Sequence, residues 1–138
     1  MRKGIAEILA EAGNLATNKE KIEHLQRNNS PTLLTILKYT FDPKIKWALP
    51  KGKPPYKPSP YLDNEGMLFQ EARRLYLFVE GGNPNLTNLK RESLFIGLLE
   101  SLAPKDAELL CHIKDRELPY KGINKALIKK AFPGLIDE

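Results

Sequence analysis

Apolar residues recur at helical spacing from the start of the chain. Ile5, Ile8, Leu9 and Ala12 share one helical face, and Gly13-Asn14 ends the run. Thr17 to Glu20 fits a capping box, in which hydroxyl and carboxylate satisfy free amides at a helix start. Ile22 and Leu25 then predict the buried stripe of a short second helix. Ser30-Pro31 supplies an N-cap and a first-turn proline for a third. Leu33, Leu34, Ile36, Leu37 and Phe41 form its broad apolar face, and Asp42-Pro43 closes it.

Helical spacing returns after a long irregular stretch. Asp63 suits the cap of a helix running through Met67, Leu68, Ala72, Leu75, Tyr76 and Val79, which Gly81-Gly82-Asn83-Pro84 breaks. Thr87 or Asn88 starts the next, with Leu89, Ile96, Leu99 and Leu102 among its apolar positions. Ala103-Pro104 separates it from a helix carrying Leu109, Leu110 and Ile113, which is expected to run to Leu118-Pro119. Beyond a turn at Gly122, Ile123 to Phe132 places Ile123, Leu127, Ile128 and Ala131 on one face and Lys125, Lys129 and Lys130 on another. No segment alternates as a strand between hairpin turns. The expected fold class is all-α, one compact domain over residues 1–138 with about seven short helices.

The irregular stretch, residues 43–62, interrupts this pattern. Six prolines between Pro43 and Pro60 exclude helix interior and central strand. Lysines alternate there with Trp47, Tyr56 and Tyr61 along an extended, polyproline-like path. One reading is a surface loop tacked to the core by its aromatics. The other is a basic loop whose lysines meet phosphates, with an aromatic against sugar or base. The two are compatible.

Charge sharpens that choice. Lys38 to Tyr61 holds six lysines against one acid, Asp42, an excess equal to the whole chain's net charge of +5. Such clustering favours a polyanionic partner. The N-terminal run MRKGIAEILAEAGNLA begins like a signal peptide, but Glu7 and Glu11 interrupt its apolar part, so an amphipathic helix is expected. No apolar run approaches the roughly 18 residues a membrane span needs. A single cysteine, Cys111, rules out an internal disulfide and suits a reducing cytoplasm, the expected location.

Chemistry-bearing residues are sparse. Cys111, His24 and His112 are too few for a structural zinc site, and adjacent helical positions point Cys111 and His112 about 100° apart. Asp63 and Glu65 are explained by helix capping and first-turn charge. No glycine-rich nucleotide fingerprint occurs. No catalytic residue, metal or cofactor is therefore expected, and the protein is not expected to be an enzyme. The remaining candidate is the start of the last helix. There a glycine turn, exposed amides and Lys121, Lys125, Lys129 and Lys130 coincide in a phosphate-attracting arrangement.

The same stretch carries a resemblance. Arg116-Glu117-Leu118, Gly122 and the Phe132-Pro133-Gly134-Leu135-Ile136 run resemble the end of the N-terminal DNA-binding domain of ATP-dependent DNA ligases, particularly the T-even phage type. The turn before Gly122 is one residue longer than in that family. The run from Ile5 to Asn29 resembles the ligase opening, and that from Thr32 to Pro55 resembles its third helix and basic loop. The resemblance implies an all-α domain gripping duplex DNA through backbone and minor-groove contacts, which position a protein without reading sequence. The ligase's Lys-x-Asp-Gly motif is absent, and the chain ends where the catalytic domain would begin. The expectation is a stand-alone, non-catalytic, phage-encoded DNA-binding protein in the host cytoplasm, with no membrane partner. Expected contacts are Lys46, Lys51, Lys53 and Lys57 in the loop, and Lys121, Gly122, Asn124, Lys125 and Lys129 at the last helix. Trp47 suits a core anchor or a DNA contact equally. The alternative is a protein-interaction module on the same fold, docking a sliding clamp, a replication protein or a host factor.

Overall fold

The computed structural model describes residues 4–50, 52–57, 67–83, 85–120 and 122–136. Among them are seven α-helices: α1 (Ile5–Gly13), α2 (Asn18–Arg27), α3 (Pro31–Phe41), α4 (Met67–Glu71), α5 (Asn88–Ser101), α6 (Pro104–Lys114) and α7 (Lys125–Ala131). A 3-10 helix, Ala72–Phe78, continues α4. Strand pairing among the described residues is one antiparallel bridge between Trp47 and Val79. The expected all-α architecture is present, as one body around one core.

Helix α6 lies at the centre, against α1, α3 and α5, while α2 packs on both α1 and α7. Leu9, Leu25, Leu33, Ile36, Leu37, Leu99, Leu110, Ile113 and Ile128 are fully shielded from solvent. Phe78 and Phe95 meet edge to face, 5.2 Å between ring centroids, joining the 3-10 helix to α5. Such a pair adds about 1 kcal/mol beyond its area burial.

The helix starts follow the sequence where capping is local. Ser30 Oγ accepts from the Leu33 amide at 3.1 Å, and Thr87 Oγ1 from the Lys90 amide at 3.2 Å. Thr17 Oγ1 accepts from the Glu20 amide at 3.2 Å, but its hydroxyl also donates to Glu20 Oε1 at 3.0 Å, a variant of the expected box. Helix α1 is capped by tertiary partners instead. The buried Asp106 carboxylate accepts from the Ala6 amide at 3.0 Å. At its other end the buried Lys21 ammonium donates to the carbonyls of Gly13 at 3.3 Å and Leu15 at 2.6 Å. A negative group thus sits at the positive end of the helix dipole and a positive group at its negative end.

Four expectations are corrected. The stripe of α2 is Lys21 and Leu25, with Ile22 only partly buried. The helix expected through Val79 is α-helical only to Glu71; Tyr76 stands exposed, and Asp63 lies outside the described residues. On α5 the buried face is Arg91, Phe95, Leu98 and Leu99, while Leu89 is 76% exposed. Helix α6 ends at Lys114, four residues before Leu118.

Candidate nucleic-acid interface

The basic loop leaves α3 at Asp42 and crosses the surface in an extended path. Its first part is held by the small bridge: the Ala48 amide donates to the Phe78 carbonyl at 2.8 Å, and the Glu80 amide to that of Lys46 at 2.7 Å. Trp47 donates through Nε1 to the Tyr39 carbonyl at 3.0 Å and packs edge-on to the Tyr39 ring. Of its two expected roles, the core anchor is therefore the one with defined partners.

The middle of the loop is held by the end of α6. Lys114, 4% exposed, donates through Nζ to the Pro50 carbonyl at 2.8 Å and to Asp115 Oδ1 at 2.7 Å. The Asp115 carboxylate accepts from the Gly52 amide at 3.1 Å. The Arg116 guanidinium donates to the carbonyls of both Asp42 and Ile45. Three consecutive residues thus bond backbone groups along a stretch with almost no secondary structure of its own.

The reason they can do so is the way α6 stops. The Glu117 amide donates to the His112 carbonyl and the Arg116 amide to that of Ile113, both at 2.9 Å. This is a Schellman motif, whose left-handed position normally takes glycine. Arg116 occupies it with φ of 61°. That turn swings Asp115 and Arg116 off the helix axis and toward the loop.

The loop continues past a cleft of about 350 Å³, walled by Leu49, Pro54 and Pro55 on one side and by Phe95 and Ile96 of α5 on the other. Lys53 sits with its ammonium 5.5 Å from the centre of the Tyr56 ring. The Lys57 amide donates to Glu100 Oε2 at 2.8 Å. Burial, with the neighbouring Cys111 thiol adding to it, pushes the Tyr56 hydroxyl up to about 12. Burial likewise raises the Cys111 thiol, despite the Tyr56 hydrogen bond and the nearby lysines that lower it. A raised thiol is the opposite of what a reactive thiolate needs.

Lys46, Lys53 and Lys57 are all exposed; Lys51 lies outside the described residues, as does Lys121. At the other expected contact, Gly122 takes φ of 76°. Asn124 is exposed and caps α7, its Oδ1 accepting from the Leu127 amide at 2.9 Å. Helix α7 is only seven residues long, beginning at Lys125 instead of Ile123. Lys125 is half-buried and Lys129 exposed. The loop is fastened to α5 and the end of α6, whereas α7 rests on α2. The two groups of expected contacts are therefore carried by different parts of the fold. Among the described residues, no three His, Cys, Asp or Glu side chains gather as metal ligands would.

A family profile matches residues 8–120, more than three quarters of the chain. The chain belongs to DUF6433, a family of unknown function. No curated protein matches it. The family match takes in the basic loop and the α6 residues that hold it, and it stops short of Gly122 and α7. Among the described residues no helix is long and apolar enough to cross a membrane.

Sequence reasoning missed Lys114, Asp115 and Arg116 as loop anchors. A signal existed for Lys114, which follows Leu110 by four positions and so falls on the apolar stripe of α6. Nothing local marks Arg116, because its carbonyl partners lie 71 and 74 positions earlier.

Proposed function

We propose that this protein is a non-catalytic, largely sequence-independent duplex-DNA-binding protein, phage-encoded and similar in fold to a ligase DNA-binding domain. The observation that carries the reading is the loop. Its backbone is fixed by α6 and the Trp47–Val79 bridge, while Lys46, Lys53 and Lys57 stand exposed along it. An ordered row of cations meets a phosphate backbone with little loss of chain entropy on binding. Lys125, Lys129 and the Gly122 turn are a second, separate contact region in this reading.

The test is a salt titration of binding to nicked duplex, intact duplex and single strand, side by side. The expected result is a Kd in roughly the micromolar range for duplex, weakening steeply with salt and varying little with sequence. Absence of duplex binding at low salt, or binding indifferent to salt, overturns the proposal.

One observation favours a second reading. Leu89 is 76% exposed and Leu94 37% exposed on α5, with Tyr76 48% exposed on the 3-10 helix. In that reading Leu89, the most exposed of them, is the anchor of a protein-interaction module that docks a sliding clamp, a replication protein or a host factor. A purified candidate partner held through nuclease and high salt, and lost in Leu89→Lys, supports that module over the DNA binder.

A further inference from the structure

We infer that Arg116, with Lys114 and Asp115, is a positioning device that holds the basic loop in its binding conformation, acting on a polyanion through the loop and not by touching it. The inference rests on reading the loop as the phosphate-binding surface.

The geometry first explains why an arginine occupies this place. The left-handed position of a Schellman motif costs a non-glycine residue on the order of 1 kcal/mol. Glycine would end α6 at lower cost. Arg116 accepts the strain, and its side chain then bridges two carbonyls of the loop's first turn, those of Asp42 and Ile45. A guanidinium suits this task because its planar fork presents donors to two acceptors at once, which an ammonium on a flexible stem does not. The same fork is turned inward, toward backbone, and so is occupied away from any phosphate.

Lys114 and Asp115 extend the grip to the far side of the loop. They reach the Pro50 carbonyl and the Gly52 amide from adjacent positions, and they pair with each other at 2.7 Å. The three side chains therefore fix both ends of the stretch that presents Lys46. Without them, the stretch between Asp42 and Gly52, held otherwise mainly by the Trp47–Val79 bridge, would sample more conformations. Its lysines would keep their charge but lose their arrangement.

Arg116→Gly separates these roles. Glycine relieves the left-handed strain and keeps the helix stop, which offsets part of the lost hydrogen bonds. The variant is therefore expected to fold with reduced stability while the loop loses its clasp. Hydrogen exchange should then quicken about tenfold or more at the Ala48 and Gly52 amides, with exchange in the α1 and α6 cores unchanged. Duplex affinity should fall about tenfold while the slope of log K against log salt stays the same, because no phosphate contact is lost. Arg116→Lys should recover less than half of the lost exchange protection. Asp115→Ala supplies a second variant, with the Gly52 amide as its reporter.

Unchanged loop exchange in both Arg116→Gly and Asp115→Ala overturns the inference. So does faster exchange with unaltered duplex affinity. A salt slope reduced by about 0.9 in Arg116→Gly also overturns it, since Arg116 would then be a phosphate contact itself. If the parent protein binds no duplex, the DNA reading fails and the positioning role for binding fails with it; the exchange comparison still decides whether the clasp orders the loop.

Discussion

The backbone of Gly122 rests on the side chain of Lys21: a Cβ on Gly122 would lie 2.9 Å from Lys21 Cε. That stem belongs to a buried ammonium fixed by the carbonyls of Gly13 and Leu15 at and just beyond the end of α1, so it cannot swing aside without leaving them. Gly122 also takes φ of 76°. Its turn is therefore constrained twice, by backbone sign and by a neighbour 101 positions earlier in the chain.

Gly122→Ala should destabilise the protein by about 1–3 kcal/mol, combining left-handed strain with crowding against Lys21. The check is the midpoint of chemical denaturation. If Lys21 supplies the crowding, Lys21→Ala, itself destabilising, should make the additional loss from Gly122→Ala smaller than in the parent.

Arg91 ties the 3-10 helix to α5. Its guanidinium donates to the Leu77 carbonyl at 3.1 Å, the Leu86 carbonyl at 3.1 Å and Asn88 Oδ1 at 2.7 Å. Arg91→Met keeps the stem but strands these acceptors, and should cost about 3 kcal/mol in a denaturant titration. Arg91→Lys should recover only part, since one ammonium cannot serve all three acceptors in the same planar geometry.

Alkaline pH should unfold the chain through its tyrosines. Burial holds the Tyr56 and Tyr120 hydroxyls neutral up to about 12, against an ordinary value of 10.0. The unfolded chain ionises both groups as pH passes 10 while the folded chain does not. Stability present below pH 10 is therefore lost progressively between pH 10 and about 12. Absorbance of ionised tyrosine should rise late, together with loss of helical circular dichroism. Tyr120→Phe should weaken this pH dependence.

Lysines of the loop and of α7 should separate in a salt titration. Lys46→Ala, Lys53→Ala and Lys57→Ala combined should lower the salt slope by about 0.9 for each lysine that meets a phosphate, equally on all duplexes. Lys121→Ala with Lys125→Ala tests the second region independently; binding unchanged by that pair removes α7 from the interface.

Much of the fold was legible because helix formation and burial leave a one-dimensional trace. Ile5, Ile8, Leu9 and Ala12 predict α1 and are its buried face. Ser30-Pro31 and Thr87 mark helix starts because their partners lie three residues away. The exposed state of Lys46, Lys53 and Lys57 agrees with residue type, since lysine side chains mostly face water.

The buried charges were partly legible and went unrecognised. Lys21 precedes Leu25 by four positions, Arg91 precedes Phe95, and Asp106 precedes Leu110, so each lies on a buried helical stripe. A charge at such a position signals a buried ion with carbonyls or amides to satisfy. What the sequence by itself determined is therefore the helices, their apolar faces and the concentration of lysines in one proline-rich stretch. Tertiary structure decided where those lysines stand, because Arg116 ends α6 in a conformation that local propensity disfavors. Its compensation comes from Asp42 and Ile45, and contacts across seventy positions leave no trace in the local pattern.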